Sequence, residues 1–316
     1  MRKIICVTLN PAMDHTVCID GYNEGHVNAI KEHFYEVGGK GINVAKVLKN
    51  FKIDSIVTGF VGSNFPDTFR TKLMKRGIET KFFKLLQNTR INIKLIDMQK
   101  GSCTTFKEEG PFVPEELLER FINSFSLMCH PGDYVILTGA IPTGIPSDIY
   151  VLLTQLAKEK GATVLLDCEG QLLKKNLFAQ PDILKLNYRS LVPQKRWGDL
   201  TKEDLPSLVK WIKSHYEGKA LISLGQLGAL WITPQETYYA EAIELGIKLK
   251  YPVGAGDAMV AALVMSQIEE FNDVTTLKYA IACATACVAK KDPCSCTPAE
   301  VNELLSQVVI QSFILD

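Results

Sequence analysis

The sequence has no excess of charge of either sign, no long hydrophobic run and few histidines. Its 35 basic and 35 acidic residues give a formal net charge of zero, so no long-range field draws the protein to nucleic acid or to an acidic membrane. No stretch reaches the roughly 18 apolar residues of a transmembrane helix, and the apolar run at residues 4–9 is too short for a signal peptide. We therefore expect a cytoplasmic protein that binds neither nucleic acid nor membrane.

The nine cysteines lack the spacing of a disulfide framework or a metal site. Their odd number and the absence of paired C-x-x-C modules indicate thiols in a reducing compartment. Cys283 and Cys287 stand four residues apart and Cys294 and Cys296 follow, but none of the five histidines is nearby, which argues against structural zinc. Small buried thiols are the better interpretation, and the identity of any metal ligand stays unknown.

What is present is an ordinary globular composition. With 316 residues, of which 47% are hydrophobic and 22% charged, the chain is long enough for one large α/β unit or for two domains. We find no internal repeat, low-complexity run or flexible linker. This favours a single domain over residues 1–316.

Short apolar runs alternate with longer amphipathic segments along most of the chain. The runs are unbroken, as is typical of strands buried on both faces. Their alternation with helices predicts an α/β fold, with a mostly parallel sheet covered by helices on both faces. Predicted strands cover residues 4–9, 55–60, 134–137, 163–166, 183–186 and 221–224, and predicted helices cover residues 41–51, 67–76, 114–128, 146–160, 205–215, 257–268, 275–289 and 298–309.

Two stretches, residues 14–37 and 90–110, break this alternation. In the second, the polar residues Arg90, Asn92 and Lys94 alternate with apolar ones, so a strand would place the three polar side chains on one face. We predict a small, half-exposed second sheet that is an appendage of the same domain.

The sharpest local motif is a glycine pair that leads into a helix of small residues. Gly254 and Gly256 free backbone N–H groups to point at an anion, and the helix N-terminus adds about half a positive charge. Asp257 would stand beside this anion site. A carboxylate beside a bound anion is unfavourable unless it takes part in the reaction. Removing a proton from a hydroxyl group, as a general base, is such a role. Alternatively, Asp257 caps the helix and the glycines form its turn.

A second glycine cluster, Gly38-Gly39-Lys40-Gly41, opens an earlier predicted helix. It is not a P-loop, because GxxxxGK[ST] needs an earlier glycine and a hydroxyl residue where Gly41 stands. Glycines still let the backbone approach a small polar ligand closely, and Lys40 and Asn43 supply donors. The alternative is a glycine-rich turn with a solvated lysine.

Asp14 follows the first predicted strand, and ligands of doubly wound sheets bind at the carboxyl ends of strands. Asp14 would accept hydrogen bonds from sugar hydroxyls, or would merely form an Asx-type turn. No G-x-G-x-x-G follows this strand, which disfavours a nicotinamide cofactor.

Other polar residues end or line predicted strands. Arg90 and Lys94 share one face, and a cationic face without acidic partners suits a phosphorylated substrate; otherwise this face is the wet side of a sheet. Residues 185–190 and 223–228 close two apolar strands, where they would touch a nucleotide phosphate or serve only as loops.

Together, two motifs resemble the signatures of the ribokinase-like (PfkB) sugar kinases. They are the cluster at residues 38–45, GGKGINVA, and Gly254-Ala255-Gly256-Asp257. The likeness extends over nearly the whole chain. Within the family, residues 89–95 and the Gly39-Lys40-Gly41 variant are most similar to the fructose-1-phosphate kinases, with the tagatose-6-phosphate kinases next.

The resemblance implies a three-layer αβα sandwich with a small β lid over the sugar site, ATP as phosphoryl donor and Mg²⁺ as its counterion. Asp257 would be the catalytic base, and the amides of residues 254–256 would stabilise charge on the transferring phosphoryl group. Arg90 would meet the phosphate of the sugar, with Lys94 assisting. The resemblance also implies sugar-binding roles for Asp14, Gly38, Gly39, Lys40, Asn43 and Thr138, and nucleotide-binding roles for Lys185, Asn187, Ser223, Gly225 and Gly228.

One departure from the family pattern concerns the nucleotide half. The N-x-x-E motif should follow Asn187, but Ser190 stands where Glu is expected, and a hydroxyl orients a hydrated cation less strongly than a carboxylate does. The leading hypothesis is ATP-dependent phosphorylation of fructose 1-phosphate to the 1,6-bisphosphate. The alternatives are a tagatose-6-phosphate kinase and a catalytically weak homologue that binds sugar phosphate. We also expect a homodimer formed through the lid.

Overall fold

Two β-sheets and the helices packed on the larger of them make up the fold. The computed structural model describes residues 2–191, 200–246, 253–290 and 294–314. The strands within these residues are β1 (Ile4–Thr8), β2 (Ala12–Ile19), β3 (Ile30–Gly38), β4 (Ile56–Val61), β5 (Glu79–Lys84), β6 (Arg90–Asp97), β7 (Ser102–Lys107), β8 (Tyr134–Thr138), β9 (Thr163–Asp167), β10 (Ile183–Asn187), β11 (Lys219–Ser223), β12 (Ala229–Ile232), β13 (Thr237–Ala240) and β14 (Ile310–Ser312). The helices are α1 (Lys40–Asn50), α2 (Pro66–Lys75), α3 (Glu115–Met128), α4 (Ile149–Glu159), α5 (Gly170–Asn176), α6 (Leu205–His215), α7 (Ala255–Ile268), α8 (Asp273–Val288) and α9 (Pro298–Leu305).

The large sheet has the order β14-β13-β12-β11-β10-β9-β8-β1-β4-β5. From β11 to β5 all neighbouring strands are parallel, and β12, β13 and β14 add an antiparallel edge. The predicted mostly parallel sheet is confirmed. Strand β5 and the antiparallel edge strands were not predicted.

Two hydrophobic cores lie on opposite faces of this sheet. Successive residues of β1 belong alternately to the two cores: Ile4 and Cys6 to one, Ile5 and Val7 to the other. Helices α1, α2, α7, α8 and α9 contribute to the first core, and α3, α4, α5 and α6 to the second. This is the expected three-layer αβα arrangement, and it explains the unbroken apolar runs, because each strand buries both faces.

The second sheet, here called the lid, has the order β3-β2-β6-β7, with β2 and β6 parallel and the outer pairs antiparallel. Its strands coincide with the two stretches that break the alternation, although β2 begins earlier, at Ala12. In β6 the polar side is buried: Asn92 is 8% and Lys94 6% exposed, whereas Ile93 is 42% exposed. The polar face therefore points into the molecule and is not the wet side of the sheet.

Several helix boundaries differ from the prediction for local reasons. Helix α8 begins at Asp273, before residue 275, because the side chain of Asn272 accepts a hydrogen bond from Thr275 N and caps the helix. Helix α9 ends at Leu305, and the chain then forms β14. Helix α5 was not predicted. No helix in the described part of the chain is long and apolar enough to cross a membrane.

Candidate active site

The carboxyl ends of the parallel strands form one edge of the large sheet, where ligands of such folds bind. The amino ends of two helices, α1 and α7, meet the same edge. Among the strands that end there are β1, β8, β9, β10 and β11, with the last residues Thr8, Thr138, Asp167, Asn187 and Ser223.

Asp257 lies in the first turn of α7 and contacts Asn43 of α1. Gly254, the N-cap of α7, has φ +88°, a conformation that favours glycine. Asp257 stands inside the helix, so the alternative interpretation as its cap is wrong. Its Oδ2 accepts a hydrogen bond of 2.7 Å from Asn43 Nδ2, across 214 residues of sequence. Burial raises the pKa of the Asp257 carboxyl, and the positive charge of Lys40 opposes that rise. A buried carboxyl with a raised pKa has the properties of a general base.

Lys40 is held by two carboxylates. Its Nζ lies 3.2 Å from Asp167 Oδ2 and 2.8 Å from Glu169 Oε1. Burial by itself would lower the pKa of the Lys40 ammonium. The negative charges of Asp167, Glu169 and Asp257 outweigh this effect of burial, so the pKa of Lys40 is raised. The alternative of a solvated lysine in a glycine-rich turn is therefore wrong.

Asp167, at the end of β9, links Lys40 of the first glycine motif to Lys185 of β10. Its Oδ2 also accepts a hydrogen bond of 2.9 Å from Thr138 Oγ1, and its Oδ1 lies 3.3 Å from Lys185 Nζ. Burial works to raise the pKa of this carboxyl, but the charges of Lys185 and Lys40 lower it to about 2. Asp167 is therefore an anion that fixes two lysines near Asp257.

In the lid, Asp14 and Lys94 form a buried ion pair. Asp14 Oδ2 lies 2.6 Å from Lys94 Nζ, and Asp14 Oδ1 accepts a hydrogen bond of 2.9 Å from Asn92 Nδ2. A Cβ on Gly38 would lie 2.3 Å from Asp14 Oδ2, so a side chain at this position would displace the Asp14 carboxylate. Asp14 is a residue of β2 and not of a turn. The expectation that the cationic face lacks acidic partners is wrong, because the carboxylate comes from β2, which pairs with β6 in space.

Arg90, at the start of β6, is held by backbone carbonyls. Its Nη2 donates to Asn10 O at 2.8 Å and its Nη1 to Glu108 O at 3.0 Å. Burial lowers the pKa of Arg90, and Asp14 and Glu108 oppose that change. Among the described residues its buried Nε has no hydrogen-bond partner. The guanidinium group is thus fixed in place, and the buried N–H of its Nε is left unpaired by the described residues.

The predicted nucleotide-side residues end neighbouring strands, since Asn187 pairs with Ser223. Ser223 Oγ donates to Leu186 O at 3.0 Å, and the Asn187 side chain accepts from Arg189 N, so both side chains also have structural partners. Gly225 has φ +65° in the following turn. A Cβ on Gly228 would lie 1.9 Å from Ala240 O, which gives that glycine a packing role.

Comparison with known proteins decides the family. Residues 7–300 match the family described as pfkB family carbohydrate kinase. The chain belongs to this family. It is 32% identical over 261 residues to 1-phosphofructokinase of Bacillus subtilis, covering 83% of this chain and 84% of the relative. It is 29% identical over 288 residues to tagatose-6-phosphate kinase of Staphylococcus epidermidis, covering 88% and 89%. A solved structure of a possible 1-phosphofructokinase from Thermotoga maritima matches with a TM-score of 0.87 at 24% identity, covering 99% and 100% of the two chains.

The protein is therefore a sugar kinase of the pfkB family, a phosphotransferase with an alcohol group as acceptor, and ATP is the substrate that such a kinase implies. The expected family, fold class and enzyme class are confirmed.

Two carboxylates of this kinase escaped the sequence analysis, Asp167 and Glu169. The signal was available, because Asp167 directly follows the predicted strand at residues 163–166, as Asp14 follows the first. Asp167 therefore met the same criterion as Asp14, a position after the carboxyl end of a predicted strand. The contact of Glu169 with Lys40 had no local signal, because α5 was not predicted.

The site fits a divalent cation only when that cation arrives with phosphate ligands. No group of three or more His, Cys, Asp or Glu within the described ranges could hold a metal ion, and the cysteines Cys283, Cys287, Cys294 and Cys296 are buried. Asp167 Oδ1 accepts no hydrogen bond from those residues, although Lys185 Nζ lies 3.3 Å from it. Mg²⁺ is usually bound by one or two carboxylates together with substrate phosphates, so Asp167 and Glu169 are the suitable donors.

Proposed function

We propose that this kinase acts in the cytoplasm and transfers the γ-phosphoryl group of ATP to the 6-hydroxyl of fructose 1-phosphate, giving the 1,6-bisphosphate. The observation that carries the proposal is the contact between Asp257 and Asn43, which joins the anion-binding turn of α7 to the glycine cluster of α1. The similarity to 1-phosphofructokinases supports the choice of substrate.

In the proposed reaction, the Asp257 carboxylate takes the proton of the sugar hydroxyl. The hydroxyl oxygen then forms a bond to the γ-phosphorus while the bond from that phosphorus to the ADP oxygen breaks. The amides of residues 254–256, which have no partner within the helix, stabilise the developing negative charge together with Lys40 and Lys185. Mg²⁺ would neutralise phosphate charge when bound with ATP. The lid excludes water and so limits ATP hydrolysis.

At the sugar end, Asp14 is proposed to accept hydrogen bonds from the sugar hydroxyls. Asn92 and Lys94 orient its carboxylate, so Lys94 acts on the sugar through Asp14. The unused Nε of Arg90 and its fixed guanidinium plane support a role for Arg90 at the sugar's phosphate.

Arg90→Ala is expected to raise the KM for the sugar phosphate about ten- to hundredfold. A hydrogen bond to a charged group carries about 1.5–3 kcal/mol. Arg90→Lys keeps the positive charge but loses the planar guanidinium group. Its KM should lie between those of the unchanged protein and Arg90→Ala. Steady-state kinetics measure both variants against Arg70→Ala, which removes an exposed arginine of α2. An unchanged KM in Arg90→Ala would remove Arg90 from the site.

A coupled assay of ADP formation tests the function as a whole. Fructose 1-phosphate, fructose 6-phosphate and tagatose 6-phosphate are compared at equal concentration, and fructose 1-phosphate should give the highest kcat/KM. Preference for tagatose 6-phosphate would support the second candidate, which the similarity to tagatose-6-phosphate kinase favours. Thermal stabilisation by a sugar phosphate without ADP formation would indicate a homologue that binds but does not turn over.

We also propose that a second copy of the chain covers the outer face of the lid. Tyr35, His15, Ile93 and Phe106 lie side by side across the four strands. Tyr35 is 46%, Ile93 42% and Phe106 56% exposed, and such an exposed apolar row is typical of an interaction surface. Sedimentation velocity should show a dimer, and a monomer at micromolar concentration would contradict the proposal.

A further inference from the structure

The two carboxylates that hold Lys40 differ strongly in exposure. The side chain of Asp167 is 1% exposed and that of Glu169 is 53% exposed. Asp167 is also tied to Thr138 and Lys185. Within the described residues, the carboxylate of Glu169 has a single hydrogen-bond partner, Lys40. Of the two anions, only Glu169 can leave Lys40 without breaking other contacts.

Apart from its pair with Lys40, the Glu169 side chain makes no hydrogen bond to the described residues that would keep it in place. It is the N-cap residue of α5, but its side chain makes no capping hydrogen bond. The amide of Gly170, the first residue of α5, donates instead to Ser190 Oγ at 3.4 Å. A Cβ on the neighbouring Gly170 would meet no atom within 4 Å, and the Glu169 side chain itself is 53% exposed. Exposed ion pairs of this kind are weak.

The balance of charges around Lys40 changes when Glu169 moves away from Lys40. Lys40 and Lys185 carry two positive charges, against three negative charges on Asp167, Glu169 and Asp257 when all are ionised. An incoming phosphoryl group adds further negative charge and needs a cation. Asp167 and Glu169 each accept a hydrogen bond from Lys40, so withdrawal of one carboxylate frees both a donor and uncompensated positive charge for that group.

We propose that Glu169 is a displaceable counter-ion: it neutralises Lys40 in the empty site, and an incoming phosphoryl group displaces it, so that Glu169 weakens the binding of phosphorylated ligands. This inference rests on the proposed function, because it takes Lys40 to meet a phosphoryl group. The phosphoryl group belongs either to the nucleotide or to the sugar phosphate, and the experiment separates the two sources.

The test is calorimetric titration of Glu169→Gln with a non-hydrolysable ATP analogue and, separately, with fructose 1-phosphate, each without divalent metal. The ligand that displaces Glu169 should bind about two- to fivefold more tightly to the variant. Glu79→Gln is the matched control, since Glu79 is 57% exposed and pairs with Lys81 on β5; it should bind both ligands as the unchanged protein does. In a Lys40→Met background, Glu169→Gln should no longer tighten binding.

Unchanged or weaker binding of both ligands by Glu169→Gln would overturn the inference. A loss of nucleotide affinity seen only when Mg²⁺ is added would assign Glu169 to the cation and overturn it as well. These results leave the proposed function intact, because the unchanged protein still binds its ligands. If the unchanged protein binds neither ligand, the proposed function and this inference both fail.

Discussion

Asp257→Asn is expected to lower kcat by about a hundred- to ten-thousandfold, the usual contribution of a general base. The amide has nearly the same shape as the carboxylate, and its oxygen can still accept the hydrogen bond from Asn43. The variant should therefore fold normally and bind fructose 1-phosphate with nearly unchanged affinity. Steady-state kinetics and calorimetric titration of the sugar phosphate separate the two effects.

Asp67→Asn is the matched control for this substitution. Asp67 also lies in the first turn of a helix, α2, but it is exposed and outside the site. Its replacement should leave kcat unchanged. A kcat for Asp257→Asn within a factor of ten of the unchanged protein would exclude Asp257 as the base.

The sign of the pH dependence of kcat/KM follows from the role of Asp257 as a base, and its raised pKa sets where the change occurs. The base must be ionised to take a proton, so kcat/KM should fall as the pH decreases through that pKa. Because burial raises the pKa, the fall begins at a higher pH than it would for an exposed aspartate. A flat profile down to pH 4 would contradict this role.

Much of the fold was predictable because each strand is buried on both faces. A strand buried on both faces needs apolar residues at successive positions, so it appears in the sequence as an unbroken apolar run, as in β1. The helices between the runs are predicted from the helical periodicity of their apolar residues. The strands β12, β13 and β14 are only three or four residues long, so they carry little periodic signal. The antiparallel edge of the sheet was missed for this reason.

The site was predictable where its residues stand in local motifs and not where they meet through tertiary pairing. Asp257 and Asn43 belong to glycine-rich segments with a recognisable spacing, and the structure brings them into contact. The Asp14–Lys94 ion pair depends on the register between β2 and β6, which no local pattern encodes. The sequence therefore predicted the cation Lys94 but not its buried partner.

Asp167→Asn is expected to lower the free energy of unfolding by about 3–5 kcal/mol, the cost of removing one partner from a buried ion pair. Asparagine can still accept the hydrogen bond from Thr138, so the change removes mainly the charge. The substitution leaves Lys185, whose side chain is 3% exposed, without its anion. Urea denaturation at neutral pH measures the loss.

Asp54→Asn provides the comparison with an exposed ion pair. Asp54 lies 2.6 Å from Lys49, but its side chain is 84% exposed. Solvent screens this pair, so the loss should be below about 1 kcal/mol. Equal losses in the two variants would show that burial does not strengthen the role of Asp167.

The pH dependence of stability isolates the charge of Asp167. Its pKa is lowered from 3.8 to about 2 in the folded protein, so its ionised form adds stability above the unfolded pKa, and this contribution is lost as the pH falls from about 4 towards 2. The contribution is about 2 kcal/mol.

Asp257, whose pKa is raised, has the opposite effect, because its ionisation lowers stability as the pH rises above 3.8. Both proteins contain Asp257, so the difference between their unfolding free energies cancels its effect, apart from the part of its raised pKa that the charge of Asp167 causes. That difference should shrink by about 2 kcal/mol as the pH falls through this window, and a difference that does not change with pH would show that Asp167 is not held as a buried anion.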